Sequence, residues 1–296
     1  MRKKIIRAFL VVILVFGISG CSTIKTSEDS ISKPSSPTSS SQLTVINSSN
    51  ETRQDEPSNN LSKLSSVQEA QDVQAVQAVP ILYYHSVMQE NGNELRMPPE
   101  QFEAQMAFLQ EQGYQSVSLE KLYQALYSGG TLPAKPFVIS FDDGYLDNYT
   151  TAFPILTKHG FTATVFMVTS YINGDEFMSW HQLKELVANG WEIEGHTTNH
   201  PYLTKIDSST VLSELKTSKE QLEKELGHSV DFFAYPYGDL NPTVLKALKD
   251  TGYLMAVTTE RGWADAKIDA WHVHRVYCYA SMGMNEFSRR MLNPNY

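Results

Sequence analysis

Short apolar segments alternate with amphipathic helical patterns along the chain from about residue 80 to the end. This alternation predicts a parallel sheet, either doubly wound or closed into a barrel. No Gly-x-Gly-x-x-Gly turn follows the first apolar segment, which argues against a dinucleotide-binding fold. We therefore expect a (β/α) barrel with its active site at the carboxyl ends of the strands. The predicted strands lie in residues 80–85, 115–119, 137–141, 162–168, 191–196, 230–238, 254–259 and 272–278.

Two helical segments carry signals for where a helix begins. Pro154 lies inside "NYTTAFPILTKHG", so a kink or a late start is expected there. The longest helical pattern, residues 207–227, should be capped by Asp207 or Ser208.

Residues 1–20 have the pattern of an export signal. Four basic side chains precede the apolar run "AFLVVILVFG", which is short for a membrane span. The segment "ISGC" then resembles a bacterial lipobox, in which Cys21 becomes the lipid-bearing amino terminus. An uncleaved signal anchor is the alternative. Both predict an exported protein held at the extracellular face of the bacterial cell membrane.

Residues 21–78, which begin with the predicted lipidation site Cys21, differ in composition from the rest of the chain. They are rich in Ser, Asn and Gln and contain too little apolar surface to offset the entropy of ordering. We expect a disordered tether here, followed by a single catalytic domain over residues 79–296. If Cys21 is lipidated, Cys278 has no disulfide partner, and the fold must be held by packing alone.

The net charge limits the partners of the protein. A formal charge of −9 at pH 7 argues against nucleic acid and favours a neutral or cationic partner. We expect the domain to act as a monomer.

Two adjacent acids, Asp142 and Asp143, follow the predicted strand 137–141 directly. Like charges near a core are costly, because each raises the pKa of the other and desolvation adds to the cost. A solvated Asp-Gly turn is the simpler interpretation. The alternative is a functional site at the end of the strand.

Two histidines follow the strand 191–196 in the segment "HTTNHP". His196 and His200 are four residues apart, a spacing that lets both contact one metal ion. In a barrel they would meet the Asp142–Asp143 pair at the same rim. One aspartate and two histidines leave a coordination position open for water, as in catalytic zinc sites, and the other aspartate can act as general base.

The segments "SFDDG", "HTTNH" and "YPYG" resemble, in this order, the first three motifs of the polysaccharide deacetylase family. This is also called the NodB-homology family, or carbohydrate esterase family 4. The resemblance covers most of residues 80–275 and implies a distorted (β/α) barrel. It also implies roles for five residues: Asp142 as catalytic base, Asp143, His196 and His200 as metal ligands, and the Tyr237 N–H as a donor to the oxyanion.

Two features depart from the usual family pattern. Ala234 stands where the third motif has an arginine that pairs with the base, and Arg275 is a candidate replacement or else a rim salt bridge. The late Leu-x-His motif is missing, but "ILYYH" begins the domain. This layout is similar to circularly permuted family members that act on poly-N-acetylglucosamine, and it implies His85 as the general acid. Asp269 is a candidate to tune that histidine.

The resemblance implies a metal-dependent hydrolase that removes N-acetyl groups from N-acetylglucosamine units of a cell-envelope glycan. His272 and His274 are alternative acids. The ligand set suits Zn²⁺, with Co²⁺, Ni²⁺, Mn²⁺ or Fe²⁺ as alternatives. Two other functions remain open: an O-acetyl esterase with the same machinery, and a glycan-binding lipoprotein whose catalysis has decayed.

Overall fold

The computed structural model describes residues 78–296. The predicted signal peptide, Cys21 and nearly all of the tether lie outside the described residues. Within 78–296, no helix combines the length and the apolar character needed to cross a membrane.

Seven parallel strands form a closed barrel, as the alternation predicts. Strand β1 closes it by pairing with β3 on one side and with β8 on the other. Strand β2 adds to the edge of β3 outside this ring. The strands are β1 (Ile81–Tyr84), β2 (Gln115–Ser116), β3 (Pro136–Asp143), β4 (Thr164–Met167), β5 (Glu192–Gly195), β6 (Phe232–Ala234), β7 (Met255–Arg261) and β8 (Val273–Tyr277).

Helices connect most of the strands. Pro154 lies in the first turn of α3, after a π-helical turn over Asn148–Ala152, so the late start is observed. Asp207 caps α5, since its side chain accepts a hydrogen bond from the Thr210 N–H at 3.0 Å. The helices are α1 (Pro99–Glu111), α2 (Leu119–Tyr127), α3 (Phe153–His159), α4 (Trp180–Ala188), α5 (Ser208–Leu226), α6 (Pro242–Asp250) and α7 (Met284–Leu292).

The barrel separates two apolar cores because successive strand residues point to opposite faces. The inner core contains Ile81, Val138 and Phe166 together with Leu119 and Leu122 of α2. The larger outer core lies between the strands and the other helices, which bury residues such as Phe102 and Leu183 there.

Helix α2 covers the amino ends of the strands. Glu192, at the start of β5, accepts hydrogen bonds from the Leu119 N–H at 2.7 Å and the Glu120 N–H at 3.1 Å, two free donors of the first turn of α2. One end of the barrel is therefore closed by a helix. The carboxyl ends, where the predicted site residues lie, are left for loops.

Candidate active site

Asp142 and Asp143 end strand β3 and contact different partners. Asp142 accepts two hydrogen bonds from the Arg275 guanidinium, at 2.7 and 2.8 Å. Asp143 Oδ1 lies 3.5 Å from His196 Nε2 and 3.4 Å from His200 Nε2. Asp143 has a φ of 73°, so the strand geometry ends there and the two carboxylates separate.

The structure brings the three predicted metal ligands together. Nitrogens of His196 and His200 and an oxygen of Asp143 lie within 4.8 Å of one another. His196 Nδ1 lies 2.7 Å from the Ala234 carbonyl oxygen, to which it donates, and this leaves Nε2 as the free lone pair toward the cluster. Two imidazoles and one carboxylate on one side of a cavity fit a divalent transition metal.

The protonation states of two ligands also suit a cation. Burial lowers the pKa of His200 to about 4, with the neighbouring His196 acting in the same direction. Burial would raise the pKa of Asp143, but the contact with His196 outweighs it and lowers the pKa. Without a cation, the two carboxylates outweigh burial and raise the pKa of His196, whose Nε2 proton a metal ion would displace. At neutral pH, His200 therefore offers a lone pair and Asp143 a negative charge.

Strained backbone is concentrated at this site. Five non-glycine residues within 78–296 have positive φ: Asp143, Asn173, Thr197, His200 and Tyr237. All except Asn173 lie at the end of β3, in the loop after β5 or in the turn after β6, where the site residues are. Each such residue costs about 1–3 kcal/mol and persists only where its surroundings enforce it.

Glu214 of α5 enforces the loop between the two histidines. Its carboxylate accepts hydrogen bonds from the Thr198 N–H at 2.9 Å, the Asn199 N–H at 2.8 Å and the Asn199 side-chain amide at 2.7 Å. The Thr197 hydroxyl accepts from the His200 N–H at 2.9 Å. The sequence analysis missed Glu214, because a glutamate in a long polar helix carries no signal of a contact with a distant loop.

Of the two roles predicted for Arg275, the structure supports replacement of the missing motif arginine and not a salt bridge at the rim. Its side chain is 0% exposed and bonds both oxygens of Asp142. Its Nε also donates to the Thr258 carbonyl oxygen at 2.9 Å, and the Tyr83 ring lies 4.1 Å from its guanidinium carbon. Burial would raise the pKa of Asp142, but Arg275 lowers it to about 2. Asp142 is thus ionised and held by an arginine from β8, although Ala234 of β6 offers none.

We expect Arg275→Met to lower the free energy of unfolding by about 3–5 kcal/mol, because Asp142 would stay buried without its partner. Urea denaturation at pH 7 measures this change. The matched control is Arg289→Met, which removes a half-exposed arginine paired with Glu286 and should cost no more than about 1 kcal/mol. Equal losses in the two variants would contradict the importance of the buried pair.

His85 enters the same cavity from the end of β1. A cavity of about 350 Å³ is lined by His85, Asp142, Asp143, His196, His200 and Tyr237, among others. Burial lowers the pKa of His85, while the carboxylates of Asp142 and Asp143 act against burial. Its Nδ1 is buried and has no hydrogen-bond partner among the described residues.

Asp147 and Asn148 fix the backbone around His85. Asn148 donates its side-chain N–H to the His85 carbonyl oxygen at 2.8 Å. Asp147 accepts from the Ser86 hydroxyl at 2.6 Å and from the Val87 N–H at 2.7 Å. Both follow the Asp142–Asp143 pair closely in sequence. Their contacts with the residues after β1 could not be predicted, because no sequence pattern links the two segments.

Tyr237 lies in a tight turn after β6. The N–H groups of the next two residues are used within this turn: Gly238 donates to the Tyr235 carbonyl at 2.9 Å and Asp239 to the Pro236 carbonyl at 3.0 Å. Gly238 is required here, because an added Cβ would lie 2.2 Å from the Thr259 hydroxyl oxygen. The turn places Tyr237 at the wall of the cavity.

The structure does not support a role for Asp269 beside His85. Asp269 precedes β8 and therefore lies at the amino end of that strand, opposite the cavity. Its carboxylate accepts from the Trp271 N–H at 3.1 Å. The alternative acids His272 and His274 are not among the residues that line the cavity, and His274 pairs with Glu260 at 3.1 Å.

The fold and the site together define a class: a parallel barrel with an Asp-His-His cluster and a second, arginine-paired aspartate at the carboxyl ends of its strands. Residues 129–256 match the family model described as polysaccharide deacetylase. The chain belongs to the polysaccharide deacetylase family, in which metal dependence is typical, and the sequence-based assignment is confirmed.

Three similar proteins illustrate the range of the family. YxkH of Bacillus subtilis, which carries the name of a polysaccharide deacetylase, is 36% identical over 71% of this chain and 74% of its own length. The poly-β-1,6-N-acetyl-D-glucosamine N-deacetylase of Escherichia coli is 28% identical over 64% of this chain, but the match spans only 34% of that enzyme. The Streptococcus pyogenes deacetylase PplD, solved in complex with acetate, is 30% identical. It superposes with a TM-score of 0.69 over 73% of this chain and 98% of its own.

Proposed function

We propose that this enzyme removes N-acetyl groups from N-acetylglucosamine units of a cell-envelope polysaccharide. The observation that carries the proposal is the geometry of Asp142. This ionised carboxylate is held by Arg275 and faces the same cavity as the cluster of Asp143, His196 and His200. A base beside a metal site is the arrangement that hydrolysis of an unactivated amide requires.

Each group in the cavity has a separate task in this reaction. A bound divalent cation would polarise the carbonyl of the acetamide. Asp142 takes a proton from the attacking water, and Arg275 keeps its carboxylate oriented. The Tyr237 N–H donates a hydrogen bond to the negative charge that develops on the carbonyl oxygen. His85, as an imidazolium favoured by the nearby carboxylates of Asp142 and Asp143, gives a proton to the departing amine, which is otherwise a poor leaving group. The proton that Asp142 takes from the water balances the one that His85 gives up.

Two features support an N-acetylglucosamine polymer as the substrate. The E. coli relative and others from Staphylococcus aureus are named as N-deacetylases of poly-β-1,6-N-acetyl-D-glucosamine. Deacetylation produces a cationic glucosamine unit, which an acidic protein of net charge −9 does not repel. The test compares acetate release from purified N-acetylated and O-acetylated wall glycans. Release from the O-acetylated set alone would make the enzyme an esterase instead.

The decayed-catalysis alternative rested on Ala234, which lacks the arginine expected in the third motif. Arg275 makes the missing ion pair from a different strand. No specific observation now favours a protein that only binds glycan.

We propose zinc as the metal. Two imidazole nitrogens and one carboxylate oxygen form the mixed ligand set of catalytic zinc sites with an open position. Cobalt, nickel, manganese and iron suit the same donors, and their relative activities after reconstitution distinguish them.

The proposed localisation is the outer face of the bacterial cell membrane, through lipid on Cys21. The basic start, the apolar run and "ISGC" support it. We expect Cys21→Ala to move the protein out of the membrane fraction, or to leave it there at its uncleaved precursor mass. Fractionation with mass spectrometry of the wild type checks this. A mature wild-type protein without lipid would contradict the proposal.

A further inference from the structure

Two exposed tyrosines stack on each other beside the cavity. The rings of Tyr202 and Tyr237 have centroids 3.9 Å apart and are inclined by only 11°. Tyr202 is 43% exposed and Tyr237 52% exposed, so neither ring fills the apolar core. Lys205 places its ammonium 3.7 Å from the Tyr202 ring centroid. An ordered stack at an exposed position therefore requires an explanation other than core packing.

The stack joins two loops that carry different parts of the site. Tyr202 follows His200 in the loop after β5, whereas Tyr237 belongs to the turn after β6. A second contact joins the same loops: the Asp239 carboxylate accepts from the Thr204 hydroxyl at 2.6 Å and from the Thr204 N–H at 3.0 Å. One aromatic contact and one polar contact thus hold the two loops together.

Two of the residues with strained backbone, Tyr237 and His200, belong to the stack or contact it. Tyr237 has a φ of 61° and His200 a φ of 58°. The Tyr237 ring also packs edge-to-face against the His200 ring, with centroids 4.6 Å apart. Left-handed backbone at a residue with a side chain persists only where its surroundings enforce it. Tyr202, in the loop after β5, supports the Tyr237 turn from the neighbouring loop.

The geometry points to Tyr202 as a positioning residue, which acts through its ring on the Tyr237 turn and on the orientation of His200. It would fix the donor direction of the Tyr237 N–H and the approach of the His200 imidazole to the metal site. Tyr202 itself touches no reacting atom in this role. Its kinetic part rests on the proposed deacetylase function, whereas its metal-site part does not.

The kinetic test is Tyr202→Ala. We expect kcat for acetate release to fall about tenfold, equivalent to about 1.4 kcal/mol, with KM changed less than twofold. Tyr202→Phe should restore kcat, because the ring and not the hydroxyl makes the stack. Leu212→Ala, which truncates an exposed apolar side chain on α5, is the matched control and should leave kcat unchanged. A rise in KM alone would overturn the inference and make Tyr202 a substrate-stacking residue.

The second readout needs no glycan. Cobalt-loaded protein reports the ligand geometry through its visible absorption, and cobalt titration gives the affinity. In Tyr202→Ala we expect an altered spectrum and several-fold weaker binding, with wild-type behaviour in Tyr202→Phe. A wild-type spectrum and affinity in the alanine variant would overturn the inference. If that variant fails to fold, as judged by thermal unfolding, Tyr202→Leu replaces it under the same criteria. A wild type that binds cobalt but releases no acetate would count against the proposed function alone.

Discussion

Asp142→Asn should lower kcat by a factor of about 10²–10⁴ while the protein keeps its metal. The reason is that an amide cannot take the proton from the attacking water, and general-base catalysis is worth roughly that factor. The metal site should survive, since the contacts among ligands involve Asp143, His196 and His200. The measurement is acetate release at saturating substrate, with metal content determined on the same samples.

The matched control is Asp250→Asn, which neutralises an exposed aspartate paired with Lys246 at the end of α6. This variant should keep wild-type kcat. Because Asp142 is buried against Arg275, its variant also needs a thermal unfolding measurement to exclude loss of fold. Near-normal turnover by a folded Asp142→Asn protein would mean that another group is the base.

His85→Asn should lose amide hydrolysis by a similar factor of about 10²–10⁴, with metal and glycan binding retained. The leaving amine needs a proton, and His85 lines the cavity with a buried Nδ1 that no described residue engages. An activated ester needs little protonation of its leaving group. The same variant should therefore lose much less activity on an activated acetyl ester.

The controls for His85 are the two histidines that were the alternative acids. His272→Asn and His274→Asn lie outside the cavity lining and should behave as wild type on both substrates. An equal loss on amide and ester in His85→Asn would indicate damage to the site and not removal of an acid. No loss on either substrate would also contradict the assignment.

The architecture followed from the sequence because its signals are local. Apolar strands and amphipathic helices alternate along the chain in the order that a barrel needs. The predicted catalytic and metal-binding residues lie at the carboxyl ends of strands or directly after them. Asp142 and Asp143 end β3, and His196 follows β5 by one residue. Since parallel strands bring their carboxyl ends together, order along the chain was enough to predict that these groups meet.

Contacts that reach the site from distant parts of the chain could not be predicted in the same way. Asp269 was a candidate through the family resemblance, but it precedes β8 and so lies at the amino end of that strand, away from the site. The sequence left two roles open for Arg275, a partner for Asp142 or a salt bridge at the rim, because nothing local shows that β8 brings it to Asp142. Glu214 and Tyr202 contact the site from elements whose local sequence has no distinctive pattern. Such contacts depend on how strands, helices and loops pack together around the rim.

Acetate release from purified N-acetylglucosamine glycans, with and without a metal chelator, tests the central claim most directly. The wild type should release acetate, lose that activity with its metal on chelation, and recover both when Zn²⁺ is restored. His196→Ala removes a ligand and should bind metal poorly and stay inactive after the same addition, with the fold intact by circular dichroism. Acetate release that persists in metal-free protein, or in metal-free His196→Ala, would contradict the account.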